Sequence, residues 1–572
     1  MIDEAPPNPH ARTNDNRQGG QIDMRIDTDV AIPTSDGLVL RANIYRPDAA
    51  GRFPVVLVHG PYGKDVHFAD GFTRQWNRLL ELHPGLIDAG SSGRHLRWEA
   101  VDPERWVPAG FVCVHIDSRG TGASPGHIDP FCPRETQDHV EAISWAADAP
   151  WSNGRVGLLG ISYYAINQWL AAAARPRGLF AFAPWEGGSD HYRDWSRHGG
   201  MLSHAFLAGW WDSQILPNQH GNAATHYRDR ATGRPNTGPA LSPGLLAGNR
   251  ARYIDELARH TLDDAWHRER SPALEAITAP LLSAGNWGGP GVHLRGNIEG
   301  WQRAGSPRKW LSMHAGTHYE SFYLPEFIAT QQRFLGHFLR DDANGWEHEP
   351  PVRLTIRDPR GDFRRAEQAF PPARTVMRDY ALGAGLTLAP AAPAAGQISF
   401  AADGTGLDFA TAPVSQDTEF TGFPGLRLRL ASSTTEADIF VALRALDPAG
   451  QEWIIEGAHE PSPIARGWLR ASHRKTDPAR AIAGRPWHTH DEPWPLTPGA
   501  CVDLDVEIWP TSVVLPAGWR LVLTIAGRDP TVGGAPGRIR HDHAPDRAAA
   551  SGATITLDLA GCALRLPCIP PG

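Results

Sequence analysis

The stretch Arg155-Val156-Gly157-Leu158-Leu159-Gly160-Ile161-Ser162-Tyr163-Tyr164-Ala165 constrains this chain more than any other. A short apolar run ends in Gly-x-Ser, and the helix-capable segment Ile166 to Ala172 follows at once. A strand that enters a sharp turn and continues straight into a helix is the local context of a nucleophile elbow. Such a turn strains the serine backbone and lifts Oγ clear of the sheet. It also aims the amide of Tyr163 at the point where an oxyanion would form. Gly160 fits, because a side chain there would crowd the turn. The small residue usual two places after the serine is here Tyr164. A buried serine in an ordinary strand-to-helix turn is the plain alternative, so the flanking pattern must carry the reading.

That pattern is an alternation of buried strands with helices. Phe53 to Val58 and Gly110 to Ile116 are continuous apolar runs, as expected of strands covered on both faces. They end in His59-Gly60-Pro61-Tyr62-Gly63-Lys64 and in Asp117-Ser118-Arg119-Gly120-Thr121-Gly122. Thr136 to Ala147 places Val140, Ile143 and Ala147 on one helical face. The elbow strand and Gly178 to Ala183 follow, and the pattern resumes at Ala279 to Ala284 and Lys309 to Met313. A parallel α/β sheet with ligands at its strand C-termini is implied, and Ser162 lies at such an end. Pro325 to Leu339 reads as a helix with Phe327, Phe334 and Phe338 on a shared face.

Between Gly187 and Ala276, tryptophans lie among polar helix-capable segments without strand signals. Beyond about Glu349 the chain becomes β. Leu426-Arg427-Leu428-Arg429-Leu430 alternates strictly, and Val502, Leu504, Val506 and Ile508 alternate with acidic residues. Period-two patterning between Gly/Pro turns means antiparallel strands with one wet face. The expected architecture is α/β: an α/β-hydrolase domain (24–186 and 277–348) with an inserted helical cap (187–276). A flexible N-terminal arm (1–23) precedes it, and a C-terminal β jelly-roll domain of galactose-binding-like type (349–572) follows.

At 572 residues the chain exceeds one ordinary core. Its net charge of -8 gives no reason to expect nucleic acid or an anionic membrane as partner. No apolar stretch is long enough to span a bilayer. The polar, acidic leader is unlike a secretory signal, and the 5 scattered cysteines suggest reduced thiols, so a cytoplasmic location is expected. His488-Thr489-His490-Asp491 and His541-Asp542-His543 look like metal ligands but lack an evident partner group, and are read as surface loops.

Several landmarks occur in a telling order. After the two Gly-rich strand ends and Gly160-Ile161-Ser162-Tyr163 come Trp185-Glu186-Gly187-Gly188-Ser189-Asp190, Gly285-Asn286-Trp287 and Gly316-Thr317-His318, with Gly467-Trp468-Leu469-Arg470 in the β-rich tail. This order resembles the X-prolyl dipeptidyl peptidase family, the serine hydrolases that include cocaine esterase and the α-amino acid ester hydrolases. The resemblance implies Ser162 as nucleophile and His318 as general base. Tyr62 would supply one oxyanion donor through its hydroxyl, and Tyr163 the other through its amide. His314 is a rival base. His318 is preferred because it lies further beyond the strand and follows Gly316, where a loop can swing it over the sheet.

The acid is where the sequence departs from the family. Relatives place an Asp just past Gly-x-Trp, but this chain reads Gly285-Asn286-Trp287-Gly288-Gly289. The preceding strand end can also reach the base, and Glu186 stands immediately after it beside a glycine. Glu186 is the expected orienting acid, with Asp190, Glu320 or no acid left open. The chain order Ser162, Glu186, His318 obeys the fold's rule.

The activity implied is that of a serine hydrolase cleaving an ester or amide of a small acyl substrate through an acyl-enzyme. X-Pro dipeptidyl peptidase is the runner-up, and a non-catalytic binding protein on a hydrolase fold is the reading from another class. No cofactor and no metal are implied. The partner is a small ester, amide or short peptide, with homo-oligomerisation left open.

Overall fold

The computed structural model describes residues 12–14, 24–87, 90–390, 395–457, 461–530, 541, 543 and 550–571. An 11-stranded sheet organises the first part of the chain. Its spatial order is Arg12–Asn14, Met24–Pro33, Val39–Pro47, Val112–Asp117, Phe53–Gly60, Ser152–Ile161, Leu179–Trp185, Leu281–Asn286, Lys309–His314, Val352–Ile356 and Phe363–Glu367. From Val112–Asp117 to Val352–Ile356 every neighbouring pair is parallel. The flanking pairs are antiparallel. The central strands are buried on both faces, which is why they read as unbroken apolar runs.

Helices Pro133–Asp148, Tyr163–Ala173, Leu294–Arg303 and Pro325–Arg340 pack on this sheet. Pro325–Arg340 starts on a proline and stops at Asp341, which adopts a left-handed conformation. It buries Ile328, Phe334, Leu335, Phe338 and Leu339 along one stripe. Tyr163–Ala173 is buried almost throughout, so its apolar and small residues face packing on every side.

Register decides where the chemistry falls. Ile161 lies opposite Trp185, Trp185 opposite Ala284, and Asn286 opposite His314. The residues just past these positions therefore emerge side by side at one edge of the sheet. The segment between Gly187 and Ala276 folds as short helices, among them His204–Trp210, Tyr253–Arg259 and Ala265–Arg268, with a two-stranded ribbon of Arg197–His198 and Met201–Leu202.

The C-terminal part is β, built on a 13-stranded, largely antiparallel sheet. In Gly425–Ser432, Leu426, Leu428 and Leu430 are buried while Arg427 and Arg429 are exposed, as their alternation requires. The first sheet reaches further than the sequence pattern indicates. Val352–Ile356 and Phe363–Glu367 extend it past residue 348, because Val352, Leu354 and Ile356 continue the register of Leu311 to Met313. In the expected N-terminal arm, residues 12–14 pair with Met24–Pro33, and the rest of 1–23 lies outside the described residues.

The expectation of surface loops for the histidine pairs is corrected. His488, His490, His541 and His543 are buried, and Asp542 lies outside the described residues. Pairing with imidazoles and a carboxylate makes the burial of His490 and His543 tolerable, and His541 Nδ1 meets Ser203 Oγ at 3.0 Å. His543 Nδ1 is 2.7 Å from Asp529 Oδ2, its Nε2 is 2.9 Å from His198 Nδ1, and His490 pairs with His473 at 3.0 Å.

One close approach fixes the loop after Leu179–Trp185. A Cβ on Gly187 would stand 2.4 Å from Ala165 Cβ, in the helix behind the elbow. Gly187→Ala should therefore lower stability by about 1–3 kcal/mol through forced backbone shifts. Thermal denaturation checks this, and an unchanged midpoint would contradict the packing.

Candidate active site

Three strained residues frame the site. Ser162, Glu186 and Glu99 all have positive φ, at 56°, 50° and 59°, although none is glycine. Such conformations are costly, and they collect at functional sites. Here they are stitched together. The Ser162 amide donates to Trp185 O at 3.1 Å and to Glu186 O at 3.2 Å, and the Ile161 amide donates to Glu99 O at 3.1 Å. Gly160 is required at the elbow, since a Cβ there would meet Tyr164 Cβ at 2.6 Å.

Glu186 sits at the centre, fully buried. Its Oε2 accepts from His318 Nδ1 at 2.8 Å. Its Oε1 lies 2.8 Å from His314 Nε2 and accepts from Asn286 Nδ2 at 3.3 Å. Burial pushes the carboxyl upward, but the charge of His318 and the bonds from His314 and His318 overcome it and hold the group at about 2. The other acids considered for this place are engaged elsewhere. Asp190 caps the turn His191–Ser196 and pairs with Arg193, and Glu320 binds His83 at 2.7 Å.

On its other side His318 meets Glu99, with Nε2 2.8 Å from Oε1. Burial opposes the imidazolium, yet Glu186 and then Glu99 outweigh it and raise His318 to about 9. Glu99 is itself lifted by burial to about 7. The ring of His293 stacks on that of His318, with centroids 4.8 Å apart and planes 9° from parallel. Ser162 Oγ hydrogen-bonds His293 Nε2 at 3.0 Å. Burial and the neighbouring charge of His318 push His293 well below its usual value, which leaves it neutral.

Tyr163 and Tyr62 approach Ser162 from the elbow helix and a loop. Tyr163 opens an 11-residue helix, so its amide carries the positive end of the helix dipole. Its phenol points away and donates to both oxygens of Glu135, at 2.8 and 2.7 Å. The Tyr62 hydroxyl accepts from Trp210 Nε1 at 3.1 Å and lies near the Ser162 side chain. Burial, together with the charge of Glu99, pushes the Tyr62 phenol well above its usual range, so it remains a neutral donor.

The structure thus brings Ser162, Tyr62, the Tyr163 amide, Glu186 and His318 to one place. Sequence reasoning missed His293 and Glu99. His293 could have been noticed, because Gly288-Gly289-Pro290-Gly291-Val292-His293 is a Gly-rich turn after a sheet strand. Glu99 carries no such signal. Among the described residues Glu186, His293 and His318 form a set whose donor atoms lie within 4.8 Å of one another, as a metal site would need. Each already bonds within the site, Glu186 with His318 and His293 with Ser162, an arrangement suited to proton transfer.

A strained serine at a strand-to-helix turn, beside an imidazole–carboxylate pair on neighbouring strand ends, defines a serine hydrolase of the α/β-hydrolase class. Comparison with known proteins agrees. Residues 36–320 match the X-Pro dipeptidyl-peptidase (S15 family) model, and residues 344–546 match the X-Pro dipeptidyl-peptidase C-terminal non-catalytic domain. The chain belongs to this family of serine hydrolases. A Mycobacterium bovis protein whose name places it among serine esterases is 24% identical, with 86% of this chain and 89% of that protein aligned. Cocaine esterase of Rhodococcus sp. is 34% identical over 186 residues, which cover 32% of this chain and 28% of the esterase. A crystal structure of a CocE/NonD family hydrolase from Staphylococcus aureus superposes with a TM-score of 0.83 at 29% identity, covering 96% of this chain and 94% of that one.

The two stacked imidazoles should behave oppositely in solution. Side-chain ¹⁵N NMR is expected to show His318 holding its proton far above 6.5 and His293 neutral through the same range. A His318 that titrates at 6.5 would contradict the environment described.

Proposed function

We propose that the protein hydrolyses a carboxylic ester or amide of a small acyl substrate through an acyl-enzyme, with Ser162 as nucleophile, His318 as general base and Glu186 as orienting acid. The observation that carries this reading is the 2.8 Å bond between Glu186 and His318 Nδ1, one strand away from Ser162. Ser162 Oγ attacks the carbonyl carbon and its proton passes to the imidazole. The Tyr62 hydroxyl and the Tyr163 amide receive the oxyanion. The imidazolium then returns the proton to the leaving alcohol or amine, and water repeats the cycle on the acyl-enzyme. A base must be stabilised once it is protonated. Glu186 favours the His318 imidazolium, whereas burial works against a protonated His293.

A second assignment of the base has one observation in its favour. The bond from Ser162 reaches His293, not His318, in the resting arrangement. For the bond cleaved, the esterase names among relatives favour esters, and the family's X-Pro dipeptidyl peptidases supply the alternative. The segment 187–276 is read as a cap, since it brings Trp210 onto Tyr62, and the C-terminal strands as a jelly roll. A cytoplasmic location accords with five cysteines that are all free.

A panel of p-nitrophenyl esters, aryl amides and Gly-Pro anilides tests the substrate class, and variants test the roles. Ser162→Ala should abolish turnover and fluorophosphonate labelling. Glu186→Gln should lower kcat by orders of magnitude, about 10⁴ in the serine-protease template. His318→Asn should be as damaging as Ser162→Ala. Wild-type turnover in His318→Asn, with loss in His293→Asn, would transfer the base to His293.

A further inference from the structure

Glu99 is a buried carboxylate that the reaction as derived does not use. It belongs to no helix or strand, and it follows Trp98, whose ring stacks on Phe72 at 4.2 Å. The strain at Glu99, with φ of 59°, is held by the Ile161 amide bonded to its carbonyl, so its placement is tied to the elbow itself. Its carboxylate reaches His318 Nε2, the nitrogen that would have to accept the Ser162 proton. Ser162 Oγ meanwhile shares a hydrogen bond with His293 Nε2.

We infer that Glu99 is a positioning residue that clamps His318 as an imidazolium in the resting enzyme, so that His318 becomes a base only when this clamp opens. The inference rests on the assignment of His318 as general base. With carboxylates on both ring nitrogens, the imidazole keeps its proton where a singly paired histidine would have lost it. His293 holds the nucleophile's hydrogen bond in the interval. Opening requires loss of the His318 Nε2 proton, after which the free nitrogen can turn to Ser162. The two carboxylates and the imidazole therefore titrate as one unit.

The surrounding groups leave this unit in control of the pH response. Glu186, after the strand Leu179–Trp185, stays ionised, and His293, from the turn after Leu281–Asn286, stays neutral. Tyr62 in its loop, Tyr164 in the elbow helix and Tyr323 in the helix Glu320–Tyr323 carry phenols raised well above 10.0, and all three feel the charge of Glu99. His314 faces Glu186 from the end of Lys309–His314.

The test is the pH dependence of kcat/KM for an activated ester. In the wild-type enzyme the acid limb should lie well above 6.5, toward 9. Glu99→Gln removes one negative charge from the imidazolium. The limb should then move down by about one pH unit or more, which makes the variant about tenfold more active than wild type between about 7, where Glu99 ionises, and the wild-type limb. Glu99→Asp keeps the charge and should stay nearer the wild-type limb. A limb unmoved in Glu99→Gln overturns the proposal. If that variant does not fold, a wild-type limb at 6.5 overturns it instead. Failure of the underlying assignment looks different: His318→Asn would then keep wild-type turnover whatever Glu99 does.

Discussion

The buried carboxylate of Glu186 is the interaction on which the site depends. An isolated charge at that depth would be untenable, and this one persists because His318, His314 and Asn286 all point hydrogens at it. Those partners come from two neighbouring strand ends and the loop beyond them, so the parallel register of the sheet is what assembles the cluster. Asn286 is the informative member. Where the family resemblance implies an acid just past Gly-x-Trp, this chain has Gly288, whose amide donates to Asn286 Oδ1 at 2.8 Å. The Asn286 amide group in turn helps fix Glu186. One strand end thus supplies an amide and the adjacent end a carboxylate, and the two meet at Glu186, which holds His318.

The same economy links the inserted segment to the elbow. Trp210, at the end of the helix His204–Trp210, donates to the Tyr62 hydroxyl, so that phenol's own proton is not spent on the indole. Glu135 anchors the Tyr163 side chain from the first turn of the helix Pro133–Asp148, so the amide of Tyr163 is presented by a residue that cannot swing. Two helices outside the sheet thus hold the two groups proposed as oxyanion donors, while strand ends of the sheet bring Glu186 to His318.

Much of this was legible in the sequence, for physical reasons. Strands buried on both faces leave continuous apolar runs, and an elbow leaves Gly-x-Ser before a helix, so the sheet and Ser162 stand out. Glu186 could be reasoned to, because strand ends at a shared edge are the places from which a carboxylate can reach His318. Glu99 was illegible, since it comes from irregular chain whose position is set by long-range packing of Trp98 and by one backbone bond to Ile161. The pairing of His543 with His198 was hidden likewise, as it joins residues 345 positions apart. The two last strands of the first sheet lie beyond Glu349, where the sequence reads as β, and nothing local there tells which sheet a strand will join.

The most direct measurement is a crystal structure of the enzyme after reaction with a fluorophosphonate, whose tetrahedral phosphorus mimics the acyl-transfer intermediate. The account predicts phosphorus on Ser162 Oγ and the phosphoryl oxygen between the Tyr62 hydroxyl and the Tyr163 amide. His318 should have left Glu99 to face the adduct through Nε2 while keeping Glu186 on Nδ1. An adduct with His293 in that position and His318 still bound to Glu99 would contradict it.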